Sequence, residues 1–250
     1  MAVMEFLTKN KLNTTTMLTV DTSTDTAQYI FDRSTTLPYQ TSNYNSTTAA
    51  VVTISFSAAT IVSHVMLQAH NLKEFSVYYN NTTTNSLFST TTNSASSTYI
   101  SFASITVSAI SVRMVASIAA GEEKTIGELF IGERRLQFER NPSHENWSPA
   151  IDPEQIVHRM PDGGDTVFHV RKQFNAKLSW EFITEDFRDD LFAVYRTGYA
   201  FTFVPHPTAT GWDGSAYEVN WMDAFDFIPS HDVESSGYSG SIKMEKTSSG

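Results

Sequence analysis

The stretch Val51-Val-Thr-Ile-Ser-Phe56 decides the fold class of the first half of this chain. Val52, Ile54 and Phe56 fall on one face of an extended segment, which is the pattern of a half-buried β-strand. Similar short apolar runs follow as far as Tyr79, and the residues between them are mostly Ser, Thr and Asn. A polar but uncharged sequence that is cut into short alternating strands is typical of a β-sandwich with long surface loops.

The composition of the chain changes about halfway along its 250 residues. Between Asn13 and Ile110 only six residues are charged, whereas charged residues, Trp, Phe and His are frequent from Glu122 onward. A chain of this length can build one or two domains with substantial cores. The two compositions predict two domains, at residues 1–134 and 135–250.

Charge and hydropathy exclude several classes of protein. The net charge of −10 argues against a nucleic-acid-binding surface, and no apolar run reaches the 18 or so residues of a membrane span. The chain has no cysteine, and its start at Met1–Leu7 is too short and too polar for a secretory signal. Synthesis in a reducing cytosol is therefore expected.

Three further features of the first half can be predicted from its pattern. One face of the segment Ile61–Ala69 is expected to be well buried, and Asn80–Thr98 is expected to be a loop or an exposed hairpin. The apolar phase of the next strands shifts between Val107 and Ile110, which indicates a bulge or a turn.

The order of segments in the first half resembles the discoidin, or coagulation-factor type C, group of galactose-binding-like jelly rolls. The resemblance covers roughly residues 17–133. It is carried by Ile30-Phe-Asp32 before a polar loop, Val65-Met-Leu-Gln68, Phe75-Ser-Val-Tyr-Tyr79 and Glu128-Leu-Phe-Ile-Gly132. It implies a jelly-roll β-sandwich for the N-terminal domain.

The second half combines strand patterns with one helix pattern. Seven apolar residues alternate in one phase, which indicates one long strand or two strands joined near residues 173–175. They are Phe168, Val170, Phe174, Ala176, Leu178, Trp180 and Phe182. Thr184 is a good N-cap, and Gly198 suits the end of a helix. Helical spacing is shared by Phe187, Leu191, Val194 and Tyr195. With later strands near 200–204, 217–227 and 238–244, the predicted order is ββαβββ.

This arrangement resembles the ring-forming domain of distal tail and tail-tube proteins of siphophages. The resemblance covers about residues 135–246 and is carried by Phe201-Thr-Phe-Val-Pro205, Tyr217-Glu-Val-Asn-Trp221 and Gly237-Tyr-Ser-Gly-Ser-Ile-Lys-Met244. It implies a mainly β protein that is a non-enzymatic structural component of a phage tail tip or baseplate. Its C-terminal domain would assemble into a homo-oligomeric ring, and its N-terminal domain would face outward.

The same resemblance implies where the protein acts and with what. The location would be the virion tail, after synthesis in the host cytoplasm. The expected partners are copies of the chain, the neighbouring tail-tube, hub or tape-measure proteins, and a glycan of the host cell surface. No cofactor, metal ion, specific nucleic acid or membrane insertion is expected.

Four residues of the polar loop that follows Pro38 are the candidates for contact with a glycan. Aromatic faces stack on the CH groups of sugars, and amide side chains pair with hydroxyl groups. The candidates are Tyr39, Asn43, Tyr44 and Asn45. The alternatives are that these residues only cap the mouth of the barrel or contact a neighbouring subunit.

No residue pattern predicts catalysis. None of the seven His residues has the spacing of metal ligands. The acidic pairs Glu185-Asp186 and Asp189-Asp190 are expected to give the start of a helix negative charge and a solvated face. The alternative interpretation is a pair of acids for glycoside hydrolysis. Two alternatives to a tail protein remain open: the binding module of a carbohydrate-active enzyme, and a free lectin.

Overall fold

The computed structural model describes residues 3–21, 24–32, 36–42, 48–142, 147–159, 165–208, 212–232 and 235–247. The chain is mainly β, and its sheets form a sandwich, as the sequence predicted. It divides into two compact units. The first comprises residues 1–135 and the segment 204–216, and the second comprises residues 136–203 and 217–248. The domain boundary between residues 134 and 135 stays a prediction.

The strands are numbered in chain order. The first ten are β1 (Glu5–Leu7), β2 (Leu18–Val20), β3 (Tyr39–Gln40), β4 (Ala50–Gln68), β5 (Leu72–Tyr79), β6 (Ser86–Thr90), β7 (Thr98–Ser117), β8 (Thr125–Ile126), β9 (Glu128–Gly132) and β10 (Arg134–Gln137). The remaining six are β11 (Trp147–Arg159), β12 (Asp165–Ile183), β13 (Phe201–Val204), β14 (Tyr217–Trp221), β15 (Phe227–Asp232) and β16 (Ser235–Lys246). Two short 3-10 helices, Thr15–Met17 and Thr24–Ile30, precede β3.

The first unit is organised around the long antiparallel pair β4 and β7. The strand order is β2-β4-β7-β5-β6, with β9 pairing along the second half of β4, and β3 pairs with β8. The register of β4 against β7 shifts opposite the segment between Val107 and Ala109, which confirms the predicted irregularity. The β5–β6 pairing confirms the hairpin expected in the Ser/Thr-rich segment.

The second half of β4 is buried on both faces rather than on one. All six residues from Val62 to Leu67 are buried, so the predicted well-buried face is present and the opposite face is buried as well. One side of this segment, including Val65, joins the main core of the first unit. The other side carries Met66 into a second cluster with Leu7 and Trp212, while His64 is buried among polar groups. Because buried groups lie on both sides of this segment, the alternation of its residues does not distinguish a buried face from an exposed one.

The second unit contains a sheet with the strand order β13-β14-β16-β12-β11, and β15 also pairs with β16. The observed order is ββαββββ. Its first strand, β11, lies before the residues from which the first two strands are predicted, and the segment predicted as one strand at 217–227 contains all of β14 and the first residue of β15. β12 is one continuous strand without a turn near 173–175, and its hairpin partner is β11. The predicted phase holds for the buried residues Phe174, Ala176, Leu178 and Trp180, whereas the side chains of Phe168 and Val170 lie outside the described ones.

One α-helix is present in the described residues: α1 (Glu185–Arg196) follows β12 and confirms the predicted helix. The hydroxyl of the N-cap Thr184 accepts a hydrogen bond from the Phe187 backbone N–H at 3.1 Å. Phe187, Leu191 and Val194 form the buried face, and Gly198 closes the helix with φ of +63°. Within the described part of the chain, no helix is long and apolar enough to span a membrane.

Candidate ligand-binding site

The predicted glycan loop places its first aromatic residue in the core. Tyr39 lies in the short strand β3, pairs with Ile126 of β8 and has no exposed surface. A ring without accessible surface cannot stack on a sugar, so the expectation that Tyr39 stands in an exposed loop is wrong. Asn43, Tyr44 and Asn45 lie outside the described residues, and their role stays a prediction.

A buried lysine fixes the segments on either side of that loop. The Lys124 side chain has no exposed surface, and its Nζ donates to the Thr48 carbonyl oxygen at 2.7 Å. The backbone N–H of Lys124 donates to Thr41 Oγ1 at 3.0 Å, and the Thr41 N–H donates to the Lys124 carbonyl, also at 3.0 Å. Burial lowers the pKa of the Lys124 ammonium. We assign this lysine a structural role.

A cluster of charged side chains in the first unit is centred on the buried Glu5 and His64. Glu5 is 3% exposed and accepts a hydrogen bond from the Tyr99 hydroxyl at 2.7 Å. Its carboxylate lies 3.3 Å from His64 Nε2 and 3.0 Å from an Arg134 guanidinium nitrogen. Ser63 Oγ lies 2.7 Å from His64 Nδ1, so both ring nitrogens of His64 have a neighbour.

The ionisation of Glu5 follows from these contacts. Burial alone raises the pKa of the Glu5 carboxyl, but hydrogen bonds with His64 and Tyr99 and the charges of His64 and Arg134 outweigh it and hold the pKa below its usual 4.5. Burial and the Glu5 charge raise the pKa of the Tyr99 hydroxyl in turn. Because Glu5 and His64 are closed to solvent, the cluster joins β1 to β4 and β7 rather than meeting a ligand.

An open cleft lies in the second unit, at the end of β12. It has a volume of about 270 Å³, close to the lower limit of roughly 300 Å³ for pockets that hold small molecules. Its floor and rims are formed by Arg140, Asn141, Pro142, Ser179, Trp180, Glu181 and Phe182. These described residues therefore combine two aromatic side chains, an amide, and one charge of each sign.

The segment 139–142, which includes one rim of the cleft, is held by hydrogen bonds to two other residues of the second unit. Trp180 Nε1 donates to the Arg140 carbonyl oxygen at 3.3 Å, and the Thr184 hydroxyl donates to a Glu139 carboxylate oxygen at 2.6 Å. Phe138, just before this segment, is buried and packs edge-on against Trp180 with ring centroids 5.4 Å apart. The rim is thus positioned before any ligand arrives, which lowers the entropic cost of binding.

The other rim is a strained β-bulge. The pairing of β12 with β16 shifts register between Trp180 and Ile183, and Phe182 within the bulge has φ of +59°. A phenylalanine in this region is costly, by about 1–3 kcal/mol, and such residues are concentrated at functional sites. The bulge turns Phe182 outward, where 38% of its surface is exposed, and turns Ile183 inward. The sequence had placed Phe182 on the buried face, and the bulge is the reason that prediction is wrong.

Gly237 on β16 makes room for the bulge. A Cβ at this position would lie 2.9 Å from Phe182 Cα, closer than real Cβ atoms approach other atoms, and 3.1 Å from its carbonyl carbon, which is tighter than an ordinary contact. We expect Gly237→Ala to reduce the free energy of unfolding by about 1–3 kcal/mol, because the backbone of the bulge must shift. Urea denaturation would measure the loss. Ser239→Ala, two residues along the same strand, should stay within about 0.5 kcal/mol, and an equal effect of both changes would contradict the close approach.

The acidic residues at the start of α1 are solvated. The Arg188 guanidinium contacts the carboxylates of Asp189 and Glu185 and lies 4.1 Å from the centre of the Tyr238 ring. The described residues bring together no group of three His, Asp or Glu side chains that could hold a metal ion. The pairing of Arg188 fits the interpretation of these acids as a solvated helix start.

Comparisons with known proteins identify structural similarity only. No family model and no curated protein matches the chain. A labelled mutant of chitosan-binding module 1 from a chitosanase/glucanase of Paenibacillus sp. IK-5 is 15% identical, with a TM-score of 0.43, over 50% of this chain and 98% of that one. A family 32 carbohydrate-binding module from Streptococcus pneumoniae EndoD is 15% identical, with a TM-score of 0.34, over 41% and 79%.

A third similar structure is a mutant of a GH29 fucosidase of Ruminococcus gnavus in complex with fucose. It is 14% identical, with a TM-score of 0.40, over 50% of this chain and 26% of that one. Two of these three structures are carbohydrate-binding modules, and none is a phage tail or baseplate protein. The assignment to a virion tail therefore stays a prediction.

Proposed function

We propose that this protein binds carbohydrate without cleaving it, and that the cleft at the β12 bulge holds a sugar ring. The observation that supports this most directly is the exposed Phe182 ring on one rim of the cleft, close to polar side chains. A pyranose presents an apolar face of CH groups and an edge of hydroxyl groups. An aromatic ring suits the first, and fixed donors and acceptors suit the second.

The polar lining supplies both kinds of hydrogen-bonding group. Arg140 offers five N–H donors in a planar fork, Glu181 offers acceptors, and the amide of Asn141 offers both. Among the described residues that line the cleft, one carries a carboxylate, whereas glycoside hydrolysis ordinarily uses two that flank the scissile bond. This composition favours recognition over hydrolysis.

The Phe182 ring is expected to contribute most of the affinity. We expect Phe182→Ala to weaken binding about tenfold or more, since stacking on an aromatic face is lost, while Phe182→Tyr retains it. Screening of the full chain on an oligosaccharide array, followed by calorimetry with the tightest ligand, would measure both. Tyr199→Ala removes an exposed aromatic residue that does not line the cleft and should leave affinity unchanged.

The same experiment separates the cleft from the loop predicted by the sequence. Binding that survives Phe182→Ala but is lost in Tyr44→Ala would assign the ligand to the loop and overturn the cleft. Release of reducing sugar by the purified protein, abolished by Glu181→Gln, would overturn the non-catalytic part of the proposal. Rings or tail-tip density in negative-stain images would test the predicted virion role separately.

A further inference from the structure

A second surface of the second unit has the properties of an interface. Phe192, on the face of α1 opposite the buried one, is 40% exposed although it contacts other aromatic rings. Its ring centroid lies 4.9 Å from that of Phe225 and 6.3 Å from that of Tyr195, and Trp221 joins the group at 5.4 Å from Tyr195. We call these four residues the aromatic surface.

Charged residues flank Phe192 on the exposed face of the helix. Asp189 and Arg196 are seven residues apart, almost two full turns, so both point to the same side with Phe192 between them. The Asp189 side chain is 60% exposed, and the Arg196 guanidinium carbon lies 5.7 Å from the centre of the Phe192 ring. The face therefore has a negative end, an aromatic centre and a positive end.

We propose that two copies of the chain associate through this face, with the two α1 helices antiparallel around a two-fold axis near Phe192. A two-fold axis at the midpoint between residues 189 and 196 brings Arg196 of each copy to Asp189 of the other. The same operation places the two Phe192 rings at the centre, where binding energy is usually concentrated.

The carboxylate of Asp189 can accept this second contact. It already contacts Arg188 of its own chain, but two carboxylate oxygens offer about four acceptor positions. A stable dimer usually buries about 800 Å² on each partner, which is more than one face of a helix about 18 Å long provides. In the proposed dimer, Trp221 and Phe225 therefore add to the contact area beside the helix. The association does not depend on the proposed sugar binding.

Charge exchange on the full chain tests the geometry. Sedimentation equilibrium is expected to show a dimer whose dissociation constant rises at least about tenfold in Arg196→Asp, because two attractive contacts become repulsive. Asp189→Arg should do the same, and the double variant should restore association. If both single variants associate weakly and the double variant does not restore association, the antiparallel pairing is wrong.

The aromatic centre is tested by a second pair of variants. Phe192→Ser should abolish the dimer, while Ile228→Ser, which removes a more exposed apolar side chain outside this surface, should leave it intact. A wild-type chain that remains monomeric throughout the micromolar range would overturn the proposal. Sugar binding by that monomer would leave the proposed function standing, so the two failures can be told apart.

Discussion

Replacement of Glu5 by Ala is expected to reduce the free energy of unfolding by about 3–5 kcal/mol, because it leaves buried polar groups without their partner. The Tyr99 hydroxyl would lose its acceptor, and His64 would lose the carboxylate at 3.3 Å. Arg134 contributes less to the loss, since its side chain is 38% exposed and water can solvate it. Urea denaturation followed by tryptophan fluorescence would measure the difference.

The control for this change is an acidic residue on the surface. Glu122 is exposed, and Glu122→Ala should change the free energy of unfolding by no more than about 0.5 kcal/mol. If both substitutions cost the same, the charged cluster does not hold the first strand in the fold.

The pH dependence of the Glu5 effect has a defined sign. The pKa of the folded carboxyl lies below 4.5, so its contribution is fully present above 4.5 and is lost as the pH falls toward the lower folded value. The difference in unfolding free energy between the wild-type chain and Glu5→Ala should therefore shrink in acid. A difference that is equal at neutral and acidic pH would show that the charge of Glu5 contributes little.

Local patterns were sufficient for much of the fold. The alternation at Val51–Phe56 lies in β4, and the cap at Thr184 with the spacing of Leu191 and Val194 describes α1. Such features depend on residues a few positions apart, and their periodicity can be read directly. The sequence pattern did not predict strand β11, because Pro149 and Pro153 interrupt it. Prolines are nevertheless tolerated in the terminal strand of a sheet, which is the position of β11.

The candidate site depends on contacts that no local pattern reports. The orientation of Phe182 follows from a bulge that Gly237 permits from another strand, 55 positions away in the numbering. Only partial signals existed: an aromatic residue at the end of a strand phase, and a glycine in the last strand. The burial of Tyr39 likewise depends on its pairing with Ile126. Polar loops indicate exposure on average, and a single residue at the edge of a loop can belong to the core.

A second substitution that is expected to reduce stability strongly lies in the helix α1. Leu191 has no exposed surface and lies between Phe187 and Val194 on the buried face of α1. We expect Leu191→Ala to reduce the free energy of unfolding by about 2–5 kcal/mol, since it removes buried methyl groups and leaves a cavity that the surrounding side chains fill only in part. Thermal and urea denaturation of the full chain would measure the loss.

The neighbouring residue supplies the matched control for the phase of the helix. Asp190 is exposed, so Asp190→Ala should stay within about 0.5 kcal/mol of the wild-type chain, and alanine's high helix propensity can only favour it. Equal losses for the two variants would mean that the faces of α1 are assigned wrongly. Leu191 and Phe192 lie about 100° apart around the helix, so a different assignment of its faces would also change the exposure of Phe192 and contradict the two-fold contact through it.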